Sequence, residues 1–190
     1  MRSPNWLERS LIAIGCGCLT AFGISLVEAA SFQQTAAQTL ERELIASVPP
    51  EVSGPDVAAV PAIEDGLVGR LEIPRLQVSV IVMEGDDDAT LARAVGHMRG
   101  TALPWVSGNA VMVGHRDTFF RPLKNLRAGD EIRMTTARGT FDYTVIRTEI
   151  VEPDDVSVLA PTPTRSLTLV TCYPFVYVGR APQRFIVHAR

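Results

Sequence analysis

Cysteine is scarce in this chain: Cys16 and Cys18 lie inside an apolar run, and Cys172 stands alone near the C-terminus. A region with a single cysteine forms no internal disulfide, and no Cys/His spacing of a zinc site occurs, so neither a disulfide framework nor a metal is expected to organise the fold. Charge of one sign is lacking too, with 18 Lys and Arg against 21 Asp and Glu. No basic cluster is long enough to track phosphates, which argues against nucleic acid as a partner. The densest acidic run, Asp86-Asp87-Asp88, reads as helix N-terminal charge rather than a calcium loop. No cofactor is expected. What is present is ample apolar content, 46% against 21% charged, over 190 residues, which fits one domain plus appendages.

There is one long hydrophobic run, Leu11 to Val27, 17 residues without a charge. As a helix it reaches roughly 25 Å, near the lower limit for crossing a bilayer. Arg2 and Arg9 precede it, whereas Glu28, Glu41 and Glu43 follow. The positive-inside rule then keeps the N-terminus cytoplasmic and exports the rest, giving a single-pass protein of the cell membrane with an extracytoplasmic domain. A cleaved signal peptide is the alternative, since Val27-Glu28-Ala29 loosely fits a small-x-small cleavage site; both readings export the domain. We divide the chain into residues 1–28 (cytoplasmic tip and anchor), 29–66 (extracytoplasmic spacer) and 67–190 (folded domain). The spacer has helix-forming residues around Ala36 to Ala46, then Pro49, Pro50, Pro55 and Pro61, which interrupt regular structure. An ordered arm packed on the domain is the other reading of this stretch.

From Gly69 onward the pattern is mostly β. Leu71 to Ile73 and Val78 to Val82 are β-branched or apolar runs around Pro74. Asp86 to Met98 has helical spacing, with Leu91, Ala94, Val95 and Met98 on one face and Gly96 as a stop. Ala110 to Val113 predicts a buried strand, and Glu131 to Thr136 with Phe141 to Val145 a hairpin turning at Arg138-Gly139. After a Pro- and Asp-containing loop, about residues 152–165, come two last strands, Leu167 to Cys172 and Phe185 to His188. Many short strands and one or two helices indicate a closed or nearly closed β-barrel.

Cys172 is therefore a free thiol, either inert in a core or reactive, and a reactive one needs an imidazole or guanidinium beside it. If the last two strands form a hairpin centred on Val178, Cys172 lies directly opposite Arg184, at about 5 Å between Cβ atoms. On that same strand His188 is four residues further on, about 13 Å away, and so reads as structural or solvated. His115 ends the apolar strand and enters a loop, a common position for functional groups. The pattern alone leaves a structural role open for it, and leaves His97, after Gly96, as either a capping residue or a groove-lining one.

Thr168-Leu169-Val170-Thr171-Cys172 resembles the TLxTC signature of sortases. The stretch from Gly108-Asn109 to Gly114-His115-Arg116 resembles their histidine strand, and Arg184-Phe185-Ile186-Val187 the segment holding their arginine. Further similarities are Gly96-His97 with Gly100-Thr101-Ala102-Leu103-Pro104, Phe119-Phe120-Arg121-Pro122-Leu123, Gly129-Asp130 and Thr171-Cys172-Tyr173-Pro174-Phe175. Together they look most like class D sortases, over roughly residues 66–190.

The resemblance implies a mainly β fold, an eight-stranded sortase-type barrel with one or two short helices behind an N-terminal transmembrane helix and spacer. It implies a cysteine transpeptidase that cuts an LPxTG-like C-terminal sorting signal between Thr and Gly and joins the threonine to an amine. By position it makes Cys172 the nucleophile, His115 the general acid/base and Arg184 the oxyanion and substrate stabiliser. Thr171, His97, Leu103 and Pro104 become substrate-binding candidates, Thr171 as an accessory to the oxyanion site. The loop near residues 152–165 would shape signal selectivity. Implied partners are secreted proteins carrying the signal and an amine acceptor, either a cell-wall precursor or a pilin lysine. Asp117 stays outside the catalytic set, because sortases do not depend on such an acid. The rival of another class is a catalytically silent tethered barrel that binds peptide or glycan.

Overall fold

The computed structural model describes residues 5–46 and 66–190. The proline-rich part of the expected spacer lies outside these residues.

The helix α1 runs without a break from Trp6 to Ala46, well past the apolar run. Its two halves differ. Most residues up to Leu26 are exposed on every side, with Ile12, Leu19 and Phe22 more than 60% accessible. From Ala29 onward a stripe at 3–4 residue spacing turns inward: Phe32, Ala36, Ala37, Leu40 and Leu44 pack on Leu67, Ile81, Met83 and Ala94. Residues 29–46 are thus a helical arm docked on the barrel, which is the other reading of this stretch. Two alanines stand among its five residues and Gln, Thr, Glu and Arg lie between them, so the stripe is weak in the sequence although its geometry is regular.

The folded domain is a closed barrel in the order β1-β2-β3-β4-β7-β8-β6-β5, the eight strands that the resemblance implied. They are β1 (Leu67–Ile73), β2 (Val78–Glu84), β3 (Val95–His97), β4 (Asn109–Val113), β5 (Glu131–Thr136), β6 (Gly139–Val151), β7 (Ser166–Tyr173) and β8 (Gln183–Ala189). A turn of 3-10 helix at Pro74–Leu76 separates β1 from β2. Strand alternation fills the interior: Ile132 and Met134 of β5 point in while Glu131 and Arg133 point out. Leu71, Val82, Met112, Phe120, Leu167 and Leu169 are among the fully buried side chains of one continuous core.

The helix expected over residues 86–98 shrinks to one turn, α2 (Asp88–Leu91), capped by the Asp87 carboxylate on the Thr90 amide. The chain then returns as β3, whose Val95 pairs with Val82 of β2. Sheet pairing overrides helical spacing here. Gly96 permits it, because a Cβ at that position would stand 2.2 Å from the Gly85 carbonyl oxygen.

Candidate active site at the end of β7

Cys172 is the penultimate residue of β7, and the β7–β8 register places it directly opposite Arg184. This is the pairing expected of a hairpin centred on Val178. On the other side of β7 runs β4, parallel, with Val113 level with Val170. The Gly114 amide continues that ladder by donating to the Val170 carbonyl at 3.2 Å. His115 and Cys172 each follow two residues further along their chains, after Val113 and Val170. The face is shared as well. Thr171 and Leu169 point into the barrel, so Cys172 and Val170 point out, as do their neighbours Arg184 and Val113.

The three groups line one cleft of about 580 Å³, together with Arg116, Asp117, Pro153, Gly179, Arg180 and Ala181. Three guanidinium groups and an imidazole against one carboxylate make this cleft cationic, as a developing oxyanion requires. Cys172 is half-buried. Arg184 is held by its own loop, its Nη1 donating to the carbonyls of Gln183 at 3.0 Å and Ala181 at 3.4 Å.

The loops around the cleft are tied down. Nη2 of Arg116 donates to the carbonyls of Tyr177 at 2.9 Å and Gly179 at 3.3 Å, with the guanidinium 5.7 Å from the Tyr177 ring centroid. It therefore latches the β4 end to the β7–β8 connection. The β6–β7 loop, which contributes Pro153 to the cleft, is pinned by buried Asn109: its amide donates to the carbonyls of Val158 at 3.1 Å and Ala160 at 3.3 Å. The Asn109 oxygen in turn accepts from Thr168 at 2.7 Å. No local pattern announces Arg116 or Asn109 in these roles, because their partners are backbone carbonyls some 50–60 residues away.

The substrate-binding candidates fall elsewhere. Thr171 is buried, and its hydroxyl donates to the Gly114 carbonyl at 2.7 Å, away from the face that carries Cys172. His97 is 2% exposed and bonded at both ring nitrogens, Nδ1 to Glu84 at 2.6 Å and Nε2 to the Ala102 carbonyl at 2.9 Å. It does not line the cleft; it fastens the segment after β3. Leu103 packs against the core, and the Pro104 carbonyl accepts from Tyr143 at 2.9 Å. Burial pushes the Tyr143 phenol up to about 12, with the Arg165 charge opposing, so it remains a donor. His188 lies opposite Thr168 and bonds Glu149 at 2.7 Å, outside the cleft. Asp117 does line the cleft. Among the described residues no cluster of three or more metal-ligating side chains occurs.

A barrel of this topology with a cysteine, histidine and arginine in one cleft invites comparison with known proteins. The sortase domain pattern matches residues 71–190, so the chain belongs to the sortase family. Sortase D of Bacillus subtilis (strain 168) is 40% identical over 123 residues, which is 64% of this chain and 62% of that protein. Sortase A of Listeria monocytogenes is 31% identical over 113 residues, 57% of this chain and 50% of that one. The chain thus aligns with between half and two thirds of the length of these relatives. Among solved structures, a Clostridium perfringens sortase D5 transpeptidase superposes with a TM-score of 0.67 at 25% identity, covering 84% of this chain and 98% of that one.

Proposed function

We propose that this protein is a membrane-anchored cysteine transpeptidase that recognises an LPxTG-like sorting signal. The observation that carries the reading is the convergence of Cys172, His115 and Arg184 on one face at the end of β7. The Cys172 thiolate attacks the threonine carbonyl, and Arg184, directly opposite, stabilises the tetrahedral oxyanion. Imidazolium at His115 protonates the leaving glycine amine, and a thioester forms. Neutral His115 then takes a proton from an incoming neutral amine as it attacks the thioester, and sulfur leaves as the thiolate beside the imidazolium. Aminolysis outruns hydrolysis when the amine is held and water is poorly placed.

The acceptor is an amine of the cell envelope, from a wall precursor or a pilin lysine, and the donor a secreted protein carrying the signal. The run before Glu28 serves as a single-pass anchor with the barrel extracytoplasmic. Residues 1–28 form the cytoplasmic tip and anchor and residues 67–190 the catalytic domain, while 29–46 join the barrel through the docked half of α1. The test is to incubate the full chain in detergent with a peptide library varied around LPxTG and with glycine or diaminopimelate as amine, reading products by mass spectrometry. Cleavage and ligation are expected, and both are expected to vanish in Cys172→Ala while the barrel stays folded. Turnover by that variant would reject the mechanism.

A further inference from the structure

A flexible tether would leave a catalytic barrel free to tumble above the membrane, but α1 offers no such freedom on the described side of residue 46. The uncharged run from Leu11 to Val27 spans roughly 25 Å as a helix, so the crossing ends near Glu28. Barrel contact begins at once. Ser25, Glu28 and Phe32 face Ala89, Ala92 and Arg93 across a crevice of about 530 Å³. The α2 corner of the barrel is therefore level with the last turn of the crossing.

The docking that sets this height is specific. The Gln33 side-chain amide bridges two barrel segments, donating from Nε2 to the Arg93 carbonyl at 2.6 Å and accepting at Oε1 from the Ile81 amide at 2.8 Å. The Arg93 guanidinium sits 4.6 Å from the Phe32 ring centroid. Leu40 is 1% exposed, and Arg70 reaches Glu41 at 3.4 Å. Gln33, Leu40 and the Arg70 contact spread over more than two helical turns, enough to fix the barrel's orientation about the helix axis as well as its height.

We propose that the barrel rests flush against the bilayer, with the α2 corner around Ala89, Ala92 and Arg93 seated in the phospholipid headgroup layer. This rests on the reading of α1 as a membrane anchor. Ala89, Ala92 and Arg93 are exposed on the barrel, as are Asp86, Asp87 and Asp88 at the start of the same corner. At headgroup level the guanidinium meets phosphate oxygens and the carboxylates meet choline ammonium groups. The opposite flank stands clear. Arg70 pairs with Thr135, Thr135 with Thr140, and Arg70 meets Glu41, so the β5–β6 hairpin lies at the far end of the docked half of α1. From Ser25 to Glu41 the helix climbs about 24 Å.

The experiment uses the full chain with Cys16→Ala, Cys18→Ala and Cys172→Ala, carrying one fluorophore at Ala92→Cys, Ala89→Cys, Glu28→Cys or Thr140→Cys. The chain is placed in phosphatidylcholine/phosphatidylglycerol nanodiscs containing headgroup-nitroxide lipid. Labels at Ala92 and Ala89 should lose most of their emission, as at Glu28, whereas Thr140 should lose little. Gln33→Ala with Leu40→Asp should restore emission at Ala92 and leave Glu28 quenched. Quenching at Glu28 but none at Ala92 or Ala89 overturns the docking and spares the anchor. Absence of quenching at Glu28 overturns the anchor reading and this one with it.

Discussion

The hydroxyl of Thr171 donates to the peptide carbonyl that immediately precedes His115, and the Gly114 Cα is packed so tightly on Phe120 that a Cβ there would stand 2.7 Å from the ring. That peptide is clamped, and under the proposed mechanism Thr171 would act by positioning the imidazole. Thr171→Val should slow alkylation of Cys172 by iodoacetamide at pH 7 by roughly fivefold, about 1 kcal/mol for one hydrogen bond, and Thr171→Ser should restore it. A pure oxyanion donor would leave this rate unchanged, because alkylation forms no oxyanion. Arg184→Ala should cut acylation by about 10²–10³, the usual loss for one oxyanion donor, as measured by release of the glycine fragment. A third residue speaks to pH. Arg75, bonded to Asp130 at 2.5 Å, holds that carboxyl below its ordinary value, with the Arg127 amide at 2.8 Å adding to the effect and burial opposing it. A depressed folded value means stability that is present above the unfolded value, about 3.9, and lost as pH falls through the folded one. Asp130→Asn should therefore flatten the acid limb of a plot of Tm against pH below about pH 4. The Cys172–Arg184 pair was legible because a hairpin's register follows from its centre. Thr171 was singled out through the resemblance, but its bond to the Gly114 carbonyl was not legible, nor were the bonds of Arg116 and Asn109, because what they hold is distant main chain.

At the scale of elements, hydrophobic period identified most strands and the apolar run. It failed where two periods overlap: Leu91, Ala94, Val95 and Met98 fit a helix, yet β pairing of Val95–His97 with β2 wins after a single turn. It also left open whether residues 29–46 dock on the barrel, because the stripe from Phe32 to Leu44 is inconspicuous until the barrel is beside it. Leu40→Ala should cost about 2–5 kcal/mol of α1–barrel contact, as large-to-small changes at buried leucines do, and should expose the 29–46 stretch to protease. The β6–β7 loop is the other element set by tertiary contact. Asn109→Leu removes the donor to Val158 and Ala160 and leaves those carbonyls and Thr168 to find new partners. Faster proteolytic cleavage within residues 152–165 is expected, with altered preference among sorting peptides.

For the whole molecule, the closed barrel removes free sheet edges and brings the ends of β4 and β7 together from opposite sides of a connection of more than fifty residues. The fold was inferable as many short strands around one apolar core, and the site as a lone thiol near a cationic partner. By pattern alone His115 kept a structural role open and the resemblance selected it; the parallel β4–β7 ladder, which brings it to the cleft of Cys172, is a pairing that no local pattern encodes. The most direct test mixes the full chain with an LPxTG peptide for a single turnover, quenches in acid and weighs the intact protein. An adduct of the peptide's N-terminal fragment on Cys172, formed as the glycine fragment is released and absent in His115→Ala on the same timescale, is the expected result. Release of the glycine fragment without any adduct at the sulfur would contradict the account.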